Sequence, residues 1–139
     1  MPSQFDHERL NVYQVALDFL VAAEDVVVCF PEGRAYLAEQ LRRAATSIVL
    51  NIAEGAGEFS KRDKARFYRM ALRSATECAA VLDVSKRLHF GQEKQVLAGR
   101  EMLLRIVAML VPLVRKMSAS GAGSGLGSGT AKRAGKSLT

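Results

Sequence analysis

Tryptophan is absent from this chain, and aromatic residues make up only 6% of it. Histidine occurs twice, as His7 and His89, and neither stands three residues after a glutamate. The Glu-x-x-His pairs by which helical bundles hold two metal ions are therefore missing, and no metal is expected. Cys29 and Cys78 sit singly in apolar surroundings, in neither Cys-x-x-Cys nor zinc-finger spacing, and read as buried reduced thiols. A Gly-rich phosphate loop and a Gly-x-Ser-x-Gly nucleophile turn are also lacking. Lys86 and Arg87 stand too close to His89 for the wider Arg-to-His spacing of helical nucleases. With no acid–base or nucleophile set in view, the chain reads as a non-enzyme without a cofactor.

Long apolar runs are scarce as well. The most apolar one, Met102 to Val114, carries Arg105 and Pro112 and falls short of the ~20 residues a spanning helix needs. The opening stretch MPSQFDHERL has neither a basic nor an apolar leader region, so a signal peptide is not expected. Both observations point to a cytoplasmic protein with no membrane partner. Alternating Val/Ile/Thr runs are missing, which argues against a sheet.

What the sequence does contain is helical periodicity, with 49% hydrophobic residues. A first helix is expected over Asp6 to Phe30. It carries two apolar stripes, one through Leu10, Tyr13, Leu17, Leu20, Val21, Val27 and Val28, the other through Val12, Ala16, Phe19, Ala23, Val26 and Phe30. Such a wide arc fits either a broad core face or a second face that meets another subunit. Pro31 and Gly33 punctuate. A second helix follows from Arg34 to Ala56 around Leu41, Ala45, Ile48 and Ile52, with Gly55 and Gly57 as permissive backbone at its end. Ser60 can cap a third helix that runs to His89, and Asp63 stands near its positive end. A fourth runs from Gln92 to Met117, where Pro112 should bend or fray the last turn. Short connections favour an all-α, antiparallel, up-down-up-down four-helix bundle over residues 1–117. The Gly/Ser-rich stretch 118–139 reads as a disordered basic tail.

The formal net charge is +6, but Lys132, Arg133 and Lys136 of the tail contribute three of those charges. Placement matters more than the total. Arg62, Arg66, Arg69 and Arg73 recur at helical spacing within an arc of roughly 60°. Lys61 and Lys64 flank them, and Arg87 returns to the stripe lower down. Like charges along one face repel, and guanidinium forks suit phosphate oxygens, so a nucleic-acid backbone is one fitting ligand. The other reading is a solvated face paired with acids such as Glu39 or Asp83.

Beside the core stripe of the second helix lies a polar one. Gln40, Arg43, Ser47, Asn51 and Glu54 share an arc of roughly 80°. Ser74 and Glu77 on the third helix could face it. A mutually satisfied seam between helices two and three, or across a subunit interface, fits these residues better than catalysis.

The same residues carry a resemblance. Phe30–Pro31, Gln40–Ala45, Ser47–Ile48, Asn51–Gly55, Arg66–Phe67, Ser74 and Glu77 fall as in the bacterial four-helix-bundle proteins encoded in rRNA intervening sequences. That group includes the accessory variability determinant of diversity-generating retroelements. The resemblance spans Val12 to Met117, and two positions depart from the pattern: Glu58 stands where an arginine is usual, and Arg73 where a glycine is. The resemblance implies a homo-oligomer, in a five-fold ring, without known catalysis, and a basic adaptor that binds nucleic acid and a reverse transcriptase or other protein partner. The expectation is thus a homopentameric bundle that binds structured RNA or DNA as an accessory to a nucleic-acid enzyme. The alternative is a protein-interaction scaffold that binds no nucleic acid directly.

Overall fold

The structure is a computed structural model and describes residues 4–123, with side chains described for residues 4–119. Four helices account for nearly all of it: α1 (Asn11–Val27), α2 (Ala35–Gly57), α3 (Lys61–Arg87) and α4 (Glu93–Gly123). Short 3-10 turns, Asp6–Arg9 and Glu32–Arg34, precede α1 and α2. α1 lies beside α2 and α4, and α3 beside the same two, while the diagonal pairs bring no backbone close and meet only through the shared core. With short turns joining successive helices, this is the antiparallel up-down-up-down bundle that the periodicity predicts.

The core collects one stripe from each helix. Phe19, Leu41, Ile48, Ile52, Leu82, Ile106 and Leu110 are the large side chains most completely withdrawn from water, each burial stabilising by roughly 2 kcal/mol. Of the two α1 stripes, Val12, Ala16, Phe19, Ala23 and Val26 form the core. In the other stripe Val27 is buried with them, Leu10, Tyr13, Leu17 and Leu20 are half-buried against the core, and Val21 and Val28 remain exposed. The wide arc is therefore part core and part open edge.

Several boundaries differ from the sequence expectation for local reasons. The first helix is interrupted at Leu10, whose extended backbone separates the 3-10 turn from α1. α1 ends at Val27, and Cys29 and Phe30 close a turn by donating to the Val26 and Val27 carbonyls before Pro31. α3 stops at Arg87, because His89 and Gly91 adopt left-handed backbone with φ of 58° and 80°. At Gly91 a side chain would crowd the Ser85 hydroxyl at 3.1 Å. Phe30 and Phe90 meet edge to face there, with centroids 4.8 Å apart, and tie the two turns at that end together.

α4 neither frays nor stops at Pro112 but continues to Gly123, beyond the expected boundary at Met117. Proline removes the hydrogen bond to the Ala108 carbonyl and crowds that carbonyl, but both residues are exposed, so the carbonyl can turn out to water. The tail expectation for residues 124–139, with Lys132, Arg133 and Lys136, lies outside the described residues.

Gly55 has a different use, while Gly57 is exposed with open space around it. Both lie inside α2, and neither has positive φ. A Cβ on Gly55 would stand 2.7 Å from Tyr68 Cε1 and 3.2 Å from Phe67 Cβ. Gly55 is thus required for the close approach of α2 and α3, and the helix ends instead at the extended backbone of Glu58.

Candidate nucleic-acid interface

The first half of α3 holds Lys61, Arg62, Lys64, Arg66, Arg69 and Arg73, whereas Arg87 stands at the far end of the helix, apart from them. Ser60 caps α3 by accepting from the Asp63 backbone N–H at 3.0 Å, leaving the helix free to begin at Lys61. Opposite the buried stripe of Ala71, Ser74, Ala75, Cys78, Val81 and Leu82, Arg62, Arg66, Arg69 and Arg73 all point to solvent, as do Lys61 and Arg87. Ser60, Arg62, Asp63, Arg66 and Arg69 line one shallow concavity. The Arg66 guanidinium lies 4.5 Å from the centroid of the Phe67 ring, and Arg69 donates to the Ser118 hydroxyl at 3.2 Å.

Among the described residues, the single ion pair joins Arg42 to Glu24 at 2.7 Å, linking α2 to α1. None of the four stripe arginines pairs with a carboxylate there, and Glu39 and Asp83 form no ion pair with them. Four like charges therefore share one face with their guanidinium groups uncommitted to acids.

Lys64 is turned elsewhere. It is half-buried, and its ammonium donates to the Ala56 carbonyl at 2.8 Å and to the Gly55 carbonyl at 3.4 Å. It answers the Ala56 carbonyl, which the end of α2 leaves without a helical partner, whereas the Gly55 carbonyl also accepts from the Glu58 N–H at 3.3 Å; both lie on the negative side of that helix's dipole.

The polar stripe of α2 faces α3. Ser47 Oγ and Ser74 Oγ lie 2.8 Å apart, and Gln40 Nε2 donates to Glu77 Oε2 at 3.2 Å. The Asn51 amide does not cross the interface: it donates to the Ser47 carbonyl and hydroxyl, both at 2.9 Å, one turn back in its own helix. The connected path is Asn51 to Ser47 to Ser74. Arg43 and Glu54 flank it, exposed, and take no hydrogen bond or ion pair among the described residues.

One residue escapes a reading by stripes. Phe59, in the α2–α3 turn, is fully exposed at 102%. Its signal is positional: a phenylalanine directly before the N-cap normally packs on the fourth helical residue. Here that residue is Lys64, which is drawn to the end of α2.

Among the described residues, no group of three or more His, Cys, Asp or Glu side chains could hold a metal ion. Nor is any described helix long and apolar enough to cross a membrane.

An antiparallel four-helix bundle with a cationic outer face and a hydrogen-bonded seam between α2 and α3 is the class these elements define. The chain belongs to the 23S rRNA-intervening sequence protein family, whose model matches residues 8–112. The fold is shared with a crystal structure from Bacteroides thetaiotaomicron, described as a protein with unknown function from the S23 ribosomal protein family. That structure aligns with a TM-score of 0.68 and 22% identity, over 75% of this chain and 95% of that one. At that identity the likeness shows the fold alone. No curated protein matches the chain.

Proposed function

We propose that this chain is a non-enzymatic, self-assembling cytoplasmic bundle that binds structured RNA or DNA through the arginine face of α3, as an accessory to a nucleic-acid enzyme such as a reverse transcriptase. The observation that carries the reading is the register of Arg62, Arg66, Arg69 and Arg73, exposed and without carboxylate partners among the described residues. Guanidinium groups so placed complement phosphate oxygens, and the affinity they give depends on counterion release. Assembly into a ring, five-fold in our reading, draws support from the open α1 edge with Val21 and Val28 exposed. It would repeat the face around the assembly, so weak interactions would add through effective concentration.

The test is a salt titration of binding to a structured RNA. For duplex regions, removing one guanidinium–phosphate pair should reduce the logarithmic salt slope by about 0.9. The variant with all four arginines changed to alanine should therefore bind weakly and with a flatter slope. Absence of wild-type binding at low salt, or equal binding by the variant, would overturn the reading.

A second reading rests on exposed Val21, Leu50, Leu97 and Leu104: the bundle is a scaffold for a protein partner. Nuclease-insensitive retention of a protein from the native host, with no RNA binding, would favour it.

A further inference from the structure

Phe59 is the most exposed large apolar side chain among the described residues, and folding gives no reason for it. A buried phenylalanine ring contributes roughly 2–3 kcal/mol, none of which is recovered here. The apolar partner for a ring at this position is missing: the residue there is Lys64, whose ammonium is committed to the Ala56 carbonyl. The ring immediately precedes Ser60, which lines the cationic concavity with Arg62, Arg66 and Arg69. The nearest acids, Glu58 and Asp63, are both half-buried, whereas Lys61, Arg62, Arg66 and Arg69 are exposed. An apolar aromatic face at the end of a stripe of guanidinium groups matches a ligand that is itself part π-surface and part polyanion.

We propose that Phe59 is a stacking platform for an unpaired base, so that the arginine face takes the single-stranded or looped part of a structured nucleic acid. This rests on the reading of that face given above and adds to it the form of the ligand. Phosphates are offered by any strand, but base faces are offered only where bases are unstacked. In a closed duplex the faces are hidden between neighbouring pairs, and the ring would find nothing to cover it. The arginine stripe, about 16 Å from Arg62 to Arg73, would then track the backbone away from the stacked base.

The experiment compares a labelled single-stranded RNA with a blunt RNA duplex of the same length, by fluorescence anisotropy across a salt series. Full-length wild type, Phe59→Ala, Phe59→Trp and the four-arginine alanine variant are measured, with light scattering on each. Phe59→Ala should weaken single-strand binding roughly 5- to 150-fold while leaving its salt slope unchanged. Duplex binding should stay within about twofold of wild type, since every phosphate-binding cation is still in place. Phe59→Trp should restore the single-strand affinity.

If the arginine variant loses binding while Phe59→Ala matches wild type on both ligands, the stacking role is overturned and the basic face stands. Equal losses on both ligands overturn it too, as does a changed assembly mass in Phe59→Ala, which would make the ring a subunit contact. If wild type binds neither RNA at low salt, the basic-face reading falls and the stacking role with it.

Discussion

The Lys64 ammonium reaches across the α2–α3 turn to stand 2.8 Å from the Ala56 carbonyl oxygen. One residue thus belongs to α3 by sequence and to the end of α2 by function, and its charge is spent before any ligand arrives. Lys64→Met keeps the long stem and removes the donor. Stability should fall by about 0.5–1.5 kcal/mol, lowering the thermal midpoint by about 2–9 °C. The salt slope of RNA binding should stay at the wild-type value. A slope reduced as much as by Arg66→Ala would return Lys64 to the ligand face.

Gly55 makes the opposite demand on its neighbour, since space is what it supplies. Alanine is the better helix former by about 1 kcal/mol, so Gly55→Ala would stabilise an isolated helix. In the bundle the new methyl meets the buried Tyr68 ring and the Phe67 Cβ, neither of which can withdraw cheaply. The steric cost should win, with a net loss of about 1–3 kcal/mol. Urea unfolding would register this as a lower midpoint at unchanged slope. A neutral or stabilised variant would show that the close approach is no constraint.

These two residues mark what a sequence can and cannot say here. Leu41, Ala45, Ile48 and Ile52 recur at helical spacing, and all four are completely buried, because periodicity is a property of one helix alone. The arginine register is legible for the same reason. Where Lys64 points depends on where another helix ends, and the contact of Gly55 with Tyr68 depends on an interhelical distance. Spacing within one strand of sequence contains neither. Asn51 shows the same limit: its position on the wheel is legible, but that its amide donates to Ser47 one turn back, and reaches α3 only through that hydroxyl, is not. Phe59 was legible in principle, as an aromatic residue before an N-cap whose staple partner is a lysine.

The seam itself passes through Ser47 and Ser74, whose hydroxyl oxygens lie 2.8 Å apart. Ser74 is buried, so its hydroxyl has little water to fall back on. Ser47→Ala and Ser74→Ala should each cost about 1 kcal/mol. The double variant should cost less than their sum, with a coupling of about 0.5–1.5 kcal/mol. Strict additivity in a double-mutant cycle would mean that the two hydroxyls do not act on each other, leaving Gln40 and Glu77 as the side-chain hydrogen bond across the seam.

Cys78 is fully buried on the core face of α3. Burial, with a smaller contribution from the Glu77 charge, pushes its thiol up from 9.0 to about 12, and burial also raises the Tyr68 hydroxyl. The folded-state thiol pKa lies above the unfolded one, so the contribution is full below about pH 9 and is lost as pH rises toward 12. Above pH 9 the unfolded chain releases a proton that the native core retains, and stability should decline with pH. Cys78→Ala should remove part of that decline and leave the Tyr68 share, which begins above pH 10. Thiol labelling of the native protein at pH 8 offers a second readout. Half-buried Cys29, with only a 3.8 Å contact from its thiol to Gln95 Oε1, should react first. Cys78 should react at the rate of unfolding. Equal labelling rates, or an alkaline slope untouched by Cys78→Ala, would count against a sealed thiol at the centre of the α3 core face.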